Sequence, residues 1–337
     1  GSRSTHGGES DIRDTGTTMI ATYSHIPVLA ERALELLSPA LQGDSPLLVD
    51  ATLGLGGHTE AFLASIPALR VLGIDRDPEA LAQAAERLAP FGDRALFAQC
   101  RYDELGEALD AHVAGVSPDA ILFDLGVSSL HLDKPERGFS YTHDAPLDMR
   151  MNPQDDVSAA DILQSFTEAD LADLFFRLGD EKLAKRYARA IVERRLQAPI
   201  VRTGDLVEVL QDATPYALKD KGHPAKRVFQ ALRMAVNQEL DSLARALPVA
   251  FDRVAIGGRV AIMSYHSGED RLVKRELRKL SVSTAPVGLP TELPQHRPSF
   301  REITRGAEMA SAEEISENPR SASVRLRAGE KVKEVRS

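Results

Sequence analysis

A series of short apolar strands, most of them ending in aspartate and leading into helical spacing, constrains this chain more than any other feature. Leu47-Leu48-Val49 ends in Asp50 and enters the turn Ala51-Thr52-Leu53-Gly54-Leu55-Gly56-Gly57-His58. Val71-Leu72-Gly73-Ile74 ends in Asp75, and Ala120-Ile121-Leu122-Phe123 ends in Asp124, with a strand over Ala95 to Ala98 between them. Ala61, Phe62, Leu63 and Ile66 follow the glycine turn at helical spacing. Pro78 falls in the first turn of the next helix, where proline is tolerated. Strand, turn, helix and strand in this rhythm predict βαβ units and a parallel sheet.

The rhythm then stops. Asp161 to Ala246 reads as helix almost throughout, with breaks near Pro199 and Pro215, and strand character returns at Arg259 to Met263. A capping-box spacing, Ser267-Gly268-Glu269-Asp270, predicts the start of the next helix. Phe300 to Thr304 and Ser323 to Arg327 read as strands, and the four prolines of Ala285 to Pro298 as a loop. The expected architecture is α/β: a Rossmann-like sheet over 23–145 and 241–330, interrupted by an inserted all-helical domain over 146–240. Residues 1–22 are Gly/Ser/Thr-rich and are expected to be disordered.

Composition excludes several classes. A single cysteine, Cys100, leaves no disulfide framework and no multi-cysteine zinc site, and no metal is expected. No apolar run approaches the roughly 18 residues of a membrane span. The absence of a signal-like stretch near the start, with one cysteine, predicts a cytoplasmic protein. The net charge of −9 means that any nucleic-acid contact must come from a local patch. One exists: Arg177 to Arg233 holds 13 Lys/Arg against 7 Asp/Glu, a local +6. Lys182, Lys185, Arg186 and Arg189 recur at helical spacing, and Lys219, Lys221, Lys226 and Arg227 cluster beyond them. Basic faces of this kind neutralise phosphates.

The glycine turn and Asp75 carry the chemistry. Glycines between a strand and a helix let the backbone approach a ligand, and the helix start offers free N–H groups. Asp75, 18 residues after Gly57, stands where a carboxylate accepts hydrogen bonds from two ribose hydroxyls. NAD and S-adenosylmethionine both fit these features. The spacing here is G-x-G-G rather than G-x-G-x-x-G, and Asp50 would repel a pyrophosphate but attract an ammonium and a sulfonium. S-adenosylmethionine is the expected cofactor.

Longer strings follow: Asp124-Leu125-Gly126-Val127-Ser128-Ser129, Arg137-Gly138-Phe139-Ser140, Pro146 to Met151, His223 to Arg233, Val236-Asn237-x-Glu239-Leu240, Ser264-Tyr265-His266-Ser267-Gly268-Glu269-Asp270-Arg271 and Asn318 to Ala322. In this order, from His25-Ile26-Pro27-Val28-Leu29 to about Arg327, the chain resembles the ribosomal RNA small subunit methyltransferase H family. The resemblance implies an S-adenosylmethionine-dependent methyltransferase acting on N4 of a cytosine in the decoding region of bacterial 16S rRNA, within the small ribosomal subunit. It also implies a homodimer. It assigns cofactor contacts to Gly56, Gly57, His58, Asp75, Tyr102, Asp124 and His131. His131 stands where relatives often carry Gln, Tyr265 where Phe is usual, and Gly268 where Leu is usual.

On the acceptor side, a cytosine taken out of its stack needs an apolar or aromatic partner, so Arg137 and Phe139 are expected at the substrate. Lys185, Arg186, Lys226 and Arg227 are expected to dock RNA. Methylation of an amino group needs an acceptor for its proton. The chain lacks an Asp/Asn/Ser-Pro-Pro-aromatic motif for this. Asp124, a backbone carbonyl beside it, and His266 remain open. Three other functions share parts of the pattern: a nicotinamide-dependent oxidoreductase, a non-catalytic RNA-binding protein, and a methyltransferase for protein or DNA.

Overall fold

The computed structural model describes residues 26–127 and 129–336. The segment 1–22, with His25 and Ser128 of the motifs above, lies outside the described residues. Seven strands form one sheet: β1 (Leu47–Asp50), β2 (Arg70–Asp75), β3 (Ala95–Gln99), β4 (Ala120–Asp124), β5 (Arg259–Ser264), β6 (Phe300–Glu302) and β7 (Arg325–Lys331). Their order is β3-β2-β1-β4-β5-β7-β6. The first five strands are parallel, while β7 runs antiparallel to both β5 and β6. The chain winds outward from β1 to β3 and then returns to β4 on the other side of β1. This reversal opens a crevice at the carboxyl ends of β1 and β4. Asp50, Asp75 and Asp124 end their strands at that edge.

Period-two alternation sorts the strand residues onto two faces. Leu48, Val71, Leu122 and Met263 pack under α1 (Ala30–Leu37), α2 (Gly57–Ser65) and α3 (Pro78–Leu88). Val49, Leu72, Ile121, Phe123 and Ile262 face the other way, toward α4 (Leu105–His112) and two helices that follow the insertion. Both faces are covered, so the strands read as continuous apolar runs. Each fully buried Leu or Phe among them contributes roughly 1.5–3 kcal/mol.

After β4 come α5 (Ser129–Asp133), α6 (Ala159–Ser165), α7 (Glu168–Gly179), α8 (Ala184–Arg195), α9 (Thr203–Ala213) and α10 (Ala225–Val236). They build a cluster of their own around Leu171, Phe175, Tyr187, Ile191, Leu210 and Phe229. The chain re-enters the sheet layers at α11 (Glu239–Arg253), which buries Leu243, Leu247 and Phe251 with Val273 and Leu277 of α12 (Ser267–Ser281). Asn237 fastens this joint. Its Nδ2 donates to Met149 O and its Oδ1 accepts from Met151 N, both at 2.9 Å, while Arg76 Nη1 donates to its carbonyl at 2.7 Å. The last helix, α13 (Ala312–Glu317), precedes β7. No described helix is long and apolar enough to cross a membrane.

Two local expectations change. The strand expected at Ser323 begins at Arg325, because Asn318 caps a short 3₁₀ turn over Pro319–Ser323 by accepting from Arg320 N. The start of α12 is capped by His266, not Ser267. His266 Nδ1 accepts from Gly268 N and Glu269 N, while Ser267 Oγ donates to Asp180 Oδ2.

Candidate active site

The glycine turn is built for close approach. Gly56 has φ 84° at the N-cap of α2, a left-handed conformation that glycine adopts without strain. A Cβ on Gly57 would lie 2.7 Å from Pro27 Cγ, so any side chain there would displace the segment that lies over the turn. Between them runs a cavity of about 360 Å³, lined by Gly57, His58, Asp75, Tyr102, Asp124 and His131 among others. Its size suits a small molecule. Gly56 is not in the lining and acts through the backbone turn.

Asp75 Oδ2 accepts from Gly54 N at 2.8 Å and Oδ1 accepts from Asp77 N at 2.9 Å. Each oxygen keeps lone-pair capacity for a ligand hydroxyl. Burial raises the Asp75 pKa despite these bonds. Tyr102 stands as a wall beside it, its ring edge-on to Phe123 at 5.8 Å and its hydroxyl donating to Glu239 O. The Arg76 guanidinium lies 6.0 Å from the Tyr102 ring centre.

His131, Arg137 and Phe139 form one supporting layer rather than three separate contacts. His131 Nε2 lies 3.0 Å from Asp77 Oδ2, and its ring stacks on Phe139 at 4.7 Å. Arg137 Nη1 donates to the same Asp77 oxygen at 2.8 Å, and its Nη2 donates to the carbonyls of Arg150 and Met151. Burial would lift Asp77, but His131 and Arg137 hold its carboxyl below the usual range. Of the three, only His131 lines the cavity. Arg137 and Phe139 were expected at the substrate. The structure commits the Arg137 guanidinium to a buried carboxylate and packs Phe139 into the helical cluster.

Asp124 is the central carboxylate. The Tyr265 hydroxyl donates to its Oδ1 at 2.5 Å, and His58 Nε2 lies 3.2 Å from its Oδ2. The Asp124 side chain remains 24% exposed, against 8% for His58, so it is the member of this group that faces the cavity. Burial pulls the His58 pKa down, but Asp124 and then Asp50 outweigh it and the net shift is upward. Asp50, expected to attract the cationic end of the cofactor, sits behind the turn. It accepts from Thr59 Oγ1 at 2.7 Å and from Thr52 N, and burial lifts it to about 6. Its charge acts on His58 instead.

His266 does not line the cavity. Its Nδ1 lone pair is taken by two backbone N–H groups, at 3.1 and 3.4 Å. Burial, then the charge of Arg233, pushes its pKa down to about 4. The neutral ring therefore carries its proton on Nε2 and has no free lone pair for a substrate. A base role at His266 does not fit this arrangement.

A group that sequence reasoning passed over lines the same cavity: Arg233, Glu239 and Glu269. Arg233 Nε donates to Glu239 Oε2 at 3.0 Å. Glu269 accepts from Tyr265 N at 3.0 Å, and burial, then the neighbouring Glu239, lifts its pKa to about 7. The signal was present in the strings ending at Arg233, around Glu239 and around Glu269. The strings did not reveal that the ends of α10, α11 and α12 meet. Ile26, Pro27, Asn318 and Arg320 also line the cavity, with Asn318 Nδ2 donating to Ile26 O.

The four expected docking residues lie away from the cavity, exposed on α8 and α10. Arg186 Nε donates to Ala213 O and Arg227 Nη1 to Asp180 O.

The sheet order, the covered faces and a cavity holding Asp75, Tyr102 and Asp124 define a Rossmann-like, S-adenosylmethionine-dependent methyltransferase. The chain belongs to the MraW methylase family, whose model matches residues 22–332. It is 58% identical over 309 residues to ribosomal RNA small subunit methyltransferase H of Clavibacter michiganensis subsp. michiganensis, covering 92% of this chain and 97% of that protein. The same-named protein of Leifsonia xyli subsp. xyli is 57% identical, with 92% and 95% covered. Among solved structures, a putative methyltransferase from Streptococcus mutans in complex with SAH is 15% identical, with 91% and 99% covered and a TM-score of 0.42.

Proposed function

We propose that this enzyme transfers a methyl group from S-adenosylmethionine to N4 of a cytosine in the decoding region of 16S rRNA, within the small ribosomal subunit. What carries this reading is a single cavity that presents two carboxylates, Asp75 and Asp124, in a chain 58% identical to a protein named for small-subunit rRNA methylation.

The residues present fit the cofactor. Asp75 retains acceptor capacity for ribose hydroxyls, the Tyr102 ring offers a flat wall, and the Gly54–Gly57 backbone leaves room that a Cβ would fill. Asp124 gives the positively charged end an opposite charge. The cofactor supplies an already activated methyl group. The chain's own work is therefore alignment and handling of a proton. Asp124, held by Tyr265 and His58 and open to the cavity, accepts a hydrogen bond from the amino group and steers its lone pair. It, or a backbone carbonyl beside it, then receives the proton. Glu269 is a second carboxyl on the same wall.

Residues 146–240 form the RNA-docking domain in this reading, through the exposed cations Lys185 and Lys226 beside Arg186 and Arg227. The protein works in the cytoplasm, as a homodimer. The test is transfer of tritiated methyl to small subunits that lack this modification, followed by nucleoside analysis. Label in N4-methylated cytidine is expected. Label in protein alone, or in no product, sinks the reading.

A further inference from the structure

Helix α12 has two unlike faces. Leu272, Val273 and Leu277 are buried against the sheet. Arg271, Lys274, Arg275, Arg278 and Lys279 are exposed. Their positions follow i, i+3, i+4, i+7 and i+8, so they lie on one stripe. From 271 to 281 five cations meet one acid, Glu276, a balance of 5 − 1 = +4 in a chain of net −9. Glu276 is shared between Arg275 at 3.3 Å and Lys279 at 3.0 Å. Among the described residues, Arg271, Lys274 and Arg278 have no ion-pair partner. Like charges one turn apart weaken a helix, so this stripe works against α12 unless a polyanion covers it.

The two ends of the stripe give it a direction. Its start adjoins Tyr265 and Glu269, which line the active-site cavity. Its far end opens on a cleft of about 130 Å³ lined by Lys279, Arg297, Lys333 and Arg336, with no acidic residue in the lining. At 1.5 Å per residue α12 spans roughly 22 Å. We propose that the α12 stripe and this cleft form a track for the phosphate backbone of the RNA whose base enters the cavity. The track lies on the sheet, apart from the helical insertion. The inference rests on the rRNA reading above and adds a second, independent docking surface to it.

The test uses the full chain with Lys274→Ala, Arg278→Ala and Arg336→Ala combined, none of them at the cavity. Binding to small subunits lacking the modification is measured across a salt series, with cofactor affinity by calorimetry and melting temperature as controls. Losing up to three phosphate contacts should lower the slope of log K against log salt by about 2–3 and weaken binding by roughly tenfold or more at low salt. Cofactor affinity and melting temperature should match the parent. A parental salt slope in the variant overturns the track, whatever the affinity. Failure of the parent protein to methylate rRNA would instead remove the rRNA reading itself, so the two failures are distinguishable.

Discussion

The Tyr265 hydroxyl donates to Asp124 Oδ1 at 2.5 Å, joining the end of β5 to the end of β4 across the mouth of the crevice. With His58 on the other oxygen, Asp124 cannot swing away from the cavity. The bond is charge-assisted, a kind that contributes about 1.5–3 kcal/mol. Tyr265→Phe keeps the ring and loses the bond. The expected result is a lower melting temperature and a transfer rate within tenfold of the parent, because His58 still orients the carboxylate.

Asp124→Asn should behave quite differently. It keeps the size but removes the charge that faces the cationic end of the cofactor, and it removes the proton acceptor. Single-turnover methylation at saturating cofactor should fall by about 10²–10⁴-fold, with weaker cofactor binding by calorimetry. A parental rate would move the acceptor role to a backbone carbonyl or to Glu269.

Glu269 and His266 make opposite pH contributions to stability. Glu269 is raised from its model value of 4.5 to about 7. The stability tied to its protonated form is complete below about 4.5 and is lost as pH rises through 7. His266 is lowered from 6.5 to about 4. Its contribution is complete above 6.5 and is lost as pH falls through 4. Between 4.5 and 6.5 the two slopes oppose each other. Glu269→Gln should therefore be more stable than the parent at pH 8, by on the order of 2–3 kcal/mol, and flatter with pH. His266→Ala should leave the pH profile of turnover unchanged and lose stability through the missing cap. Denaturant melts across pH check both. A His266→Ala enzyme that is folded but loses turnover selectively would return His266 to the chemistry.

The cofactor half of the site was legible in the sequence because its signals are local. An apolar strand, a glycine turn and a strand-ending aspartate fix Gly57, Asp75 and Asp124 within a few residues of their own elements. The acceptor half was not. Arg137 reads as a free loop cation, yet its partner Asp77 lies 60 residues away. Arg233, Glu239 and Glu269 sit on three helices, and only the return of the chain at Asn237 brings them together. His266 looked catalytic from its place after a strand. What decided its role was the direction of one lone pair, which spacing does not encode.

Asp75 has a double role that its position alone did not show. It is expected to hold the ribose, and it also ties Gly54 N and Asp77 N to the end of β2. Asp75→Ala should weaken cofactor binding by tenfold or more, with about 1.5–3 kcal/mol at stake in charge-assisted bonds. It should also lower the melting temperature in the absence of cofactor, since two buried N–H groups lose their acceptor. Asp75→Asn keeps a carbonyl for one of them and should recover part of the stability but little of the affinity. Calorimetry and thermal melts on both variants separate the two roles. Unchanged affinity in a folded Asp75→Ala protein would leave only the turn-fixing role.

The basic face of the insertion divides into two kinds of cation. Arg186 and Arg227 each donate to a carbonyl at the end of a neighbouring helix, so their removal costs packing as well as charge. Lys185 and Lys226 are exposed, and the described structure gives neither a hydrogen-bond partner nor an ion pair. Lys185→Ala with Lys226→Ala is therefore the cleaner probe of RNA docking. Two lost phosphate contacts should lower the salt slope of subunit binding by about 1.4–1.8, with melting temperature and cofactor affinity at parental values. Adding Arg186→Ala and Arg227→Ala should flatten the slope further and also lower the melting temperature. If the lysine pair binds subunits with the parental slope while the α12 variant does not, the RNA path runs along the sheet and the insertion face is solvated surface.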